Sequence, residues 1–169
     1  IPSFGSDVCM HAGFGPIRVS QTTGSLVTKY INGNLEIWIT GSSATCISLF
    51  KPCCIEQDQL MDFVPGLTYE DNSYWWRSEK FHRNLIYSDK EGLKSYQQER
   101  DELENYFLEN FFKLDNLREK ELFWEEAKNK ADQLLDRNLP KFQQQGKKTN
   151  NFLYNFAWEN YNREAKITL

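Results

Sequence analysis

From Leu93 to Leu139 the chain contains neither glycine nor proline, and its apolar residues recur every three or four positions. Leu103, Phe107, Phe111, Leu114, Leu117, Trp124, Ala127, Ala131 and Leu134 carry that spacing, which is the period of a helix with one buried face. A single straight rod of this span would reach ~70 Å, too long for a domain of this size, so a break is expected around Asn116 to Glu121, where the apolar phasing weakens. Pro140 and Gly146 end the run. Beyond them, Thr149 to Arg163 reads as a further helix with Phe152, Phe156 and Tyr161 turned inward. Upstream, SYWWRSEKFHRNLIYS has helical spacing with Ser73 placed as its N-cap, and Gly92 punctuates the chain after it. The long helix suits either a coiled-coil partner surface or a cover over a sheet.

The first third has a different period. Residues 1–16 carry Pro2, Gly5, Gly13, Gly15 and Pro16 and read as loop or a short turn of helix. Between Ile17 and Cys54 the runs VSQTTGSLVTKY, LEIWIT and TCISLFKP read as three strands. Asn32-Gly33-Asn34 between the first two is a hairpin signal, because both residue types tolerate positive φ. In LEIWIT, Leu35, Ile37 and Ile39 share one face, and Glu36, Trp38 and Thr40 the other. Gly24 suggests a bulge or a close backbone approach. The reading is therefore an α+β fold in one structural unit: antiparallel strands in 1–54, a connector in 55–72 containing Pro65-Gly66, and a helical layer in 73–169. Three strands cannot bury their own faces, so the sheet is expected to be completed by a missing N-terminal portion or a companion chain. A chain that starts at Ile1 rather than Met fits processing, truncation or a piece of a longer polypeptide.

Composition narrows the function classes. The net charge is −4, from 20 Lys plus Arg against 24 Asp plus Glu, with the basic residues interspersed among acids. No clustered basic surface is offered to phosphates, so no nucleic-acid partner is expected. No apolar run approaches the ~20 residues of a spanning helix, so no membrane partner is expected either. Four cysteines in 169 residues do not make a disulfide framework, and with no secretory leader visible a reducing, cytoplasmic setting is the reading. Aromatics at 15% leave helix faces able to associate, so a homo-oligomer stays open.

Several groups look like chemistry. Cys9 and His11, two apart on an extended segment, point to the same side and suit a thiolate–imidazolium pair or two metal ligands. The metal reading needs further ligands, and Cys46, Cys53, Cys54 and His82 show no C-x-x-C spacing, so neither a metal nor a cofactor is expected. Glu79 and His82 stand at i and i+3 on one helix face, as in bundle metal sites, but no second such motif occurs. Local pairing with Arg83 or with the sheet is the simpler reading. Trp75 and Trp76 diverge by about 100° on a helix and cannot form one platform. Gly13-x-Gly15 has no strand before it and no helix after it, unlike a phosphate loop. Thr22, Thr23 and Ser25 offer hydroxyls, yet Thr22 and Ser25 would face oppositely on a straight strand, and β-branched residues suit a strand on packing grounds alone.

The segments VCMHAG, SQTTGSLVT, IWITGSSATCISLFKP and SYWWRSEKFHR, in this order and spacing, resemble the C-terminal portion of the secernin and dipeptidase group of cysteine hydrolases. The likeness covers roughly residues 7–90 and is most specific at 20–52 and 73–83. It implies a four-layer α-β-β-α sandwich and hydrolysis of a peptide or amide bond. In these N-terminal-nucleophile enzymes an amino-terminal cysteine attacks the carbonyl and its own α-amino group serves as base. That cysteine lies upstream of the matched segment, and none of Cys9, Cys46, Cys53 or Cys54 aligns with it, so no catalytic residue is expected in this chain. Cys9, His11, Thr22 and Thr23 remain as candidates for the border of the substrate pocket. The competing expectation is a non-catalytic relative or assembly subunit acting as a protein-interaction module.

Overall fold

The computed structural model describes residues 9–13, 18–31, 33–53, 64–143 and 149–169. It is α+β, with a three-stranded antiparallel sheet followed by four helices. Strands β1 (Leu26–Ile31), β2 (Asn34–Ile39) and β3 (Lys51–Cys53) pair in the order β1-β2-β3. The helices are α1 (Tyr74–Leu85), α2 (Lys90–Phe111), α3 (Leu117–Asn138) and α4 (Phe152–Ala165). Cys54 and most of the expected connector, 55–63, lie outside the described residues. No helix is long and apolar enough to cross a membrane, among the described residues.

The hairpin forms where the turn residues place it. Ile31 pairs with Asn34, leaving a two-residue loop in which Gly33 has φ +85. A Cβ built on Gly33 would touch nothing within 4 Å, so any penalty for a side chain there is backbone strain alone. Gly33→Ala is accordingly expected to lower stability by about 1 kcal/mol, read as a fall in the urea midpoint with unchanged slope.

Three features of the first third depart from expectation. The strand expected over VSQTTGSLVTKY begins only at Leu26, and residues 19–25 lie outside the sheet. The strand expected over TCISLFKP is confined to Lys51–Cys53, and Thr45–Ile47 form a turn instead. Ala44 adopts φ 53, and the Ser48 hydroxyl donates to the carbonyls of Ser43 (2.8 Å) and Ala44 (3.2 Å). Side-chain bonding to nearby backbone of this kind competes with a β ladder. Gly24, expected at a bulge or close approach, has neither positive φ nor any atom near its missing Cβ.

Both faces of β2 are covered. Ile37 packs with Cys53 and Trp124 of α3, while Trp38 meets Phe111 edge-on at 6.0 Å in the main core. That core continues through Phe81, Phe107, Phe123, Ala127 and Leu134, joining α1, α2 and α3. The long helix therefore covers the sheet, the second of its two readings.

Each helix starts on a side-chain cap. Ser73 caps α1 as expected, and Asp89, Asn116 and Asn151 cap the others. Gly92 does not punctuate: it lies in the first turn of α2, where its amide donates to Asp89 Oδ1 at 2.7 Å and a Cβ would meet the Phe142 ring at 2.8 Å. The break in the long helical run falls at Phe112–Asn116, at the near edge of the expected interval. Pro140 stands in a short 3₁₀ turn, Leu139–Phe142, that closes α3.

α4 is phased differently from the reading. Phe152 and Phe156 are 77% and 55% exposed and stack on each other, while Asn155, Trp158 and Ala165 face inward. Trp158 sets this phase. Its ring lies 5.6 Å from that of His82 and 5.4 Å beneath the Arg83 guanidinium, and one turn on, Asn162 accepts from Arg83 Nη1 at 2.8 Å. Tyr161, the third residue expected inward, is half-buried against Trp158.

Candidate functional site

The extended segment leading into β1 organises the polar part of the molecule. Thr22 is held by its neighbours on both sides: its amide donates to Met10 O (3.0 Å), its hydroxyl accepts from Met10 N (2.8 Å), and its carbonyl accepts from Ala44 N (3.0 Å). Three segments far apart in sequence, 9–13, 18–25 and 40–48, are thereby stitched together. Because side chains alternate along extended chain, Thr22 faces one side while Gln21 and Thr23 face the other.

On the Thr22 side lie Cys9 and His11, joined by a residue that no spacing signal marked, Cys46. Their ligand-capable atoms all lie within 4.8 Å of one another, and Cys46 Sγ is 3.6 Å from His11 Nε2. Thr45 donates to Cys9 Sγ at 3.4 Å. Partial burial works to raise the Cys9 thiol, but hydrogen bonds from Thr45, Cys46 and Thr22 outweigh it and leave Cys9 below the ordinary thiol range. Cys46 moves the other way, pushed up to about 11 by desolvation of its sulfur and then by the charge on Cys9. The first proton therefore leaves Cys9.

On the Thr23 side is a cleft of about 240 Å³ bordered by Gln21, Thr23, Trp75, Glu79, Arg83 and Trp158. Trp75 Nε1 donates to Thr23 O at 3.2 Å, while Trp76 turns away to donate to Gly66 O at 3.0 Å. The two rings stand at 88° and form no shared platform. The floor is Glu79, only 3% exposed. Its carboxylate accepts from Arg83 Nε (2.7 Å), from Gln21 Nε2 (3.4 Å) and from the Ser43 hydroxyl, with His82 Nδ1 at 3.4 Å. Burial alone would raise this carboxyl, but the His82 and Arg83 contacts and the Ser43 hydrogen bond reverse that and hold it down to about 2.

The four sequence candidates are thus divided. Cys9, His11 and Thr22 meet on one side of the extended segment, and Thr23 borders the cleft on the other. The Glu79–Arg83 pair is the local pairing expected for that helix, but its reach to Ser43, Gln21 and Asn162 has no trace in spacing. Cys46 was equally hidden, since only the folding of loop 40–48 onto Thr22 brings it to His11.

The chain was compared with models of known protein families, with curated proteins and with solved structures, and nothing matches in any of the three comparisons.

Proposed function

We propose that this chain is the C-terminal part of a secernin- or dipeptidase-like cysteine amidohydrolase, supplying one wall of a substrate cleft whose nucleophile lies elsewhere in the protein. The observation that carries this reading is the convergence of the resembling segments. CMHAG, SQTTGS and SYWWRSEKFHR touch one another through Met10–Thr22, Gln21–Glu79 and Thr23–Trp75. Their meeting lines a concave, partly apolar space with convergent polar groups, the usual form of a small-molecule site. In this reading Gln21, Thr23 and the Trp75 ring orient the peptide or amide, and an amino-terminal cysteine from the upstream portion attacks it with its α-amino group as base.

The four-layer sandwich belongs to the same proposal. Among the described residues β1 is an edge strand, with Leu26, Val27 and Tyr30 all at least half exposed. An open, apolar edge is a template for further strands, and strands from the upstream portion would complete the sheet.

The isolated 169-residue chain is expected to show no hydrolysis of dipeptides or simple amides, while the full-length protein hydrolyses them and loses that activity when its amino-terminal cysteine is replaced. Turnover by the isolated chain, abolished by Cys9→Ala, would overturn the reading. The alternative, a non-catalytic interaction module, is favoured by one observation: Phe152, Leu153 and Phe156 expose an apolar patch on α4. A full-length protein whose mature terminus is not Cys, Ser or Thr, and which turns over no amide, would decide for that alternative.

A further inference from the structure

Cys9, His11 and Cys46 bring two thiols and an imidazole to one point, and the proposed hydrolase reading uses none of them. Thiolate sulfur and imidazole nitrogen are the ligands zinc prefers, with Zn–S near 2.3 Å and Zn–N near 2.0–2.1 Å. In a tetrahedral site those bonds place a sulfur and a nitrogen ligand about 3.6 Å apart. The separation between Cys46 Sγ and His11 Nε2 is 3.6 Å. All three ligand atoms lie within 4.8 Å of one another, so drawing in Cys9 by a side-chain rotation closes the set.

The surroundings are those of a built site. Residues 9–13 do not hang free, because Met10 is bonded twice to Thr22, and Thr22 O accepts from Ala44 N, two residues before Cys46. Cys9 and His11 flank Met10, and their ligand atoms come to the same place, within 4.8 Å of each other and of Cys46. Thr45 donates to the Cys9 sulfur, the outer-shell contact that orients a metal thiolate. Arg100 Nη1 holds the Cys46 carbonyl at 3.0 Å from α2, fixing the loop from behind. Cys46 itself is exposed, which gives an ion its path of entry.

We propose that Cys9, His11 and Cys46 form a zinc site with its fourth position open to solvent, clipping the segment 9–13 to the 45–47 turn. A Cys₂His set with an exchangeable fourth ligand matches the sites at which zinc keeps a water. The rival reading, a Cys9–Cys46 disulfide, gives His11 no part, although its ring lies against the Cys46 sulfur.

The test is a titration of the reduced chain with Co²⁺, followed by displacement with Zn²⁺ against a chromophoric chelator. One Co²⁺ per chain is expected, with a thiolate-to-cobalt charge-transfer band and the d–d intensity of tetrahedral geometry. Cys46→Ala, at an exposed position that leaves the core intact, should remove much of the charge-transfer band. It should also weaken Zn²⁺ binding by roughly a hundredfold or more, since even an outer-shell partner is worth about 10–100-fold. His11→Asn should weaken binding while retaining the sulfur band. A cobalt signal unchanged in Cys46→Ala would overturn the site, and so would absence of binding at micromolar Zn²⁺. Rapid closure of a Cys9–Cys46 disulfide on mild oxidation, in a protein that binds no Co²⁺ when reduced, would install the rival. No step depends on turnover, so failure here leaves the hydrolase reading standing, and loss of that reading leaves the zinc site standing.

Discussion

Replacing Glu79 by alanine is expected to destabilise the fold by about 3–5 kcal/mol, measured as a fall in urea unfolding free energy. The carboxylate is 3% exposed and is the common acceptor for Arg83, Ser43 and Gln21. Its loss leaves the Arg83 guanidinium, 7% exposed, without its ionic partner beside Trp158. An uncompensated buried charge is the costly outcome, more so than the loss of the pair as a whole. A Glu79→Ala/Arg83→Met double variant should therefore recover part of the single variant's loss, and strict additivity would show that the two residues do not act as a pair. The acid side gives an independent check. The folded carboxyl titrates at about 2, below the ~4.3 of an unfolded glutamate, so its contribution is fully present above about pH 4.3 and disappears as pH falls through the folded value. Wild type should lose stability more steeply than Glu79→Gln between about pH 4 and 2, and parallel curves would sink the assignment.

How far the sequence foretells this molecule depends on whether the signal is local. Ser73 before an aromatic helix and Asn-Gly between two β runs are each decided within a few residues and appear where expected, while the weakening apolar phase marks a real break that falls a few residues early, at Phe112–Asn116. The errors occur where a distant partner decides. Phe152 and Phe156 are as apolar as anything in α4, yet Trp158 wins the inward face because Arg83 and His82 of α1 offer it a ring and cation contact. Gly92 looks like a break but serves as the gap that admits the Phe142 ring. Ser48 within TCISLF is an ordinary strand residue in sequence, and only its bonds back to the Ser43 and Ala44 carbonyls favour the turn. For the candidate site, Cys9 and His11 were visible as a same-side pair, whereas Cys46 came within reach by way of the Thr22–Ala44 bond. Long-range placement, not residue type, was the missing information.

Stability should climb by roughly 2 kcal/mol between pH 7 and 8.5, and Lys51→Met should flatten that climb, because a lysine buried this deeply titrates near neutrality. Lys51 is 1% exposed at the start of β3, donating to Thr40 O at 2.7 Å with its ammonium 4.5 Å from the Tyr74 ring centre. Desolvation drives its pKa down to about 7, against the opposing pull of Asp132 and Glu104. Arg77 and Lys128 border the same small cavity as Asp132, and Asp132 is itself ion-paired with Arg77, which limits how much of its charge Lys51 receives. The folded pKa lies below the ~10.4 of an unfolded lysine, so from pH 7 upward the unfolded chain holds a proton that the folded chain has released. Stability then rises with pH, at up to about 1.4 kcal/mol per unit once the folded amine is neutral. The window closes on the alkaline side, where Cys46 at about 11 and Tyr74 at about 12 keep protons that the unfolded chain loses, and so act in the opposite sense. Urea midpoints at pH 7, 7.5, 8 and 8.5, with a constant slope, decide the matter. A flat wild-type profile would mean that Lys51 stays charged in its cavity. A rise that persists in Lys51→Met would assign the proton to another group, with Cys9, whose thiol the fold also lowers, the first to examine.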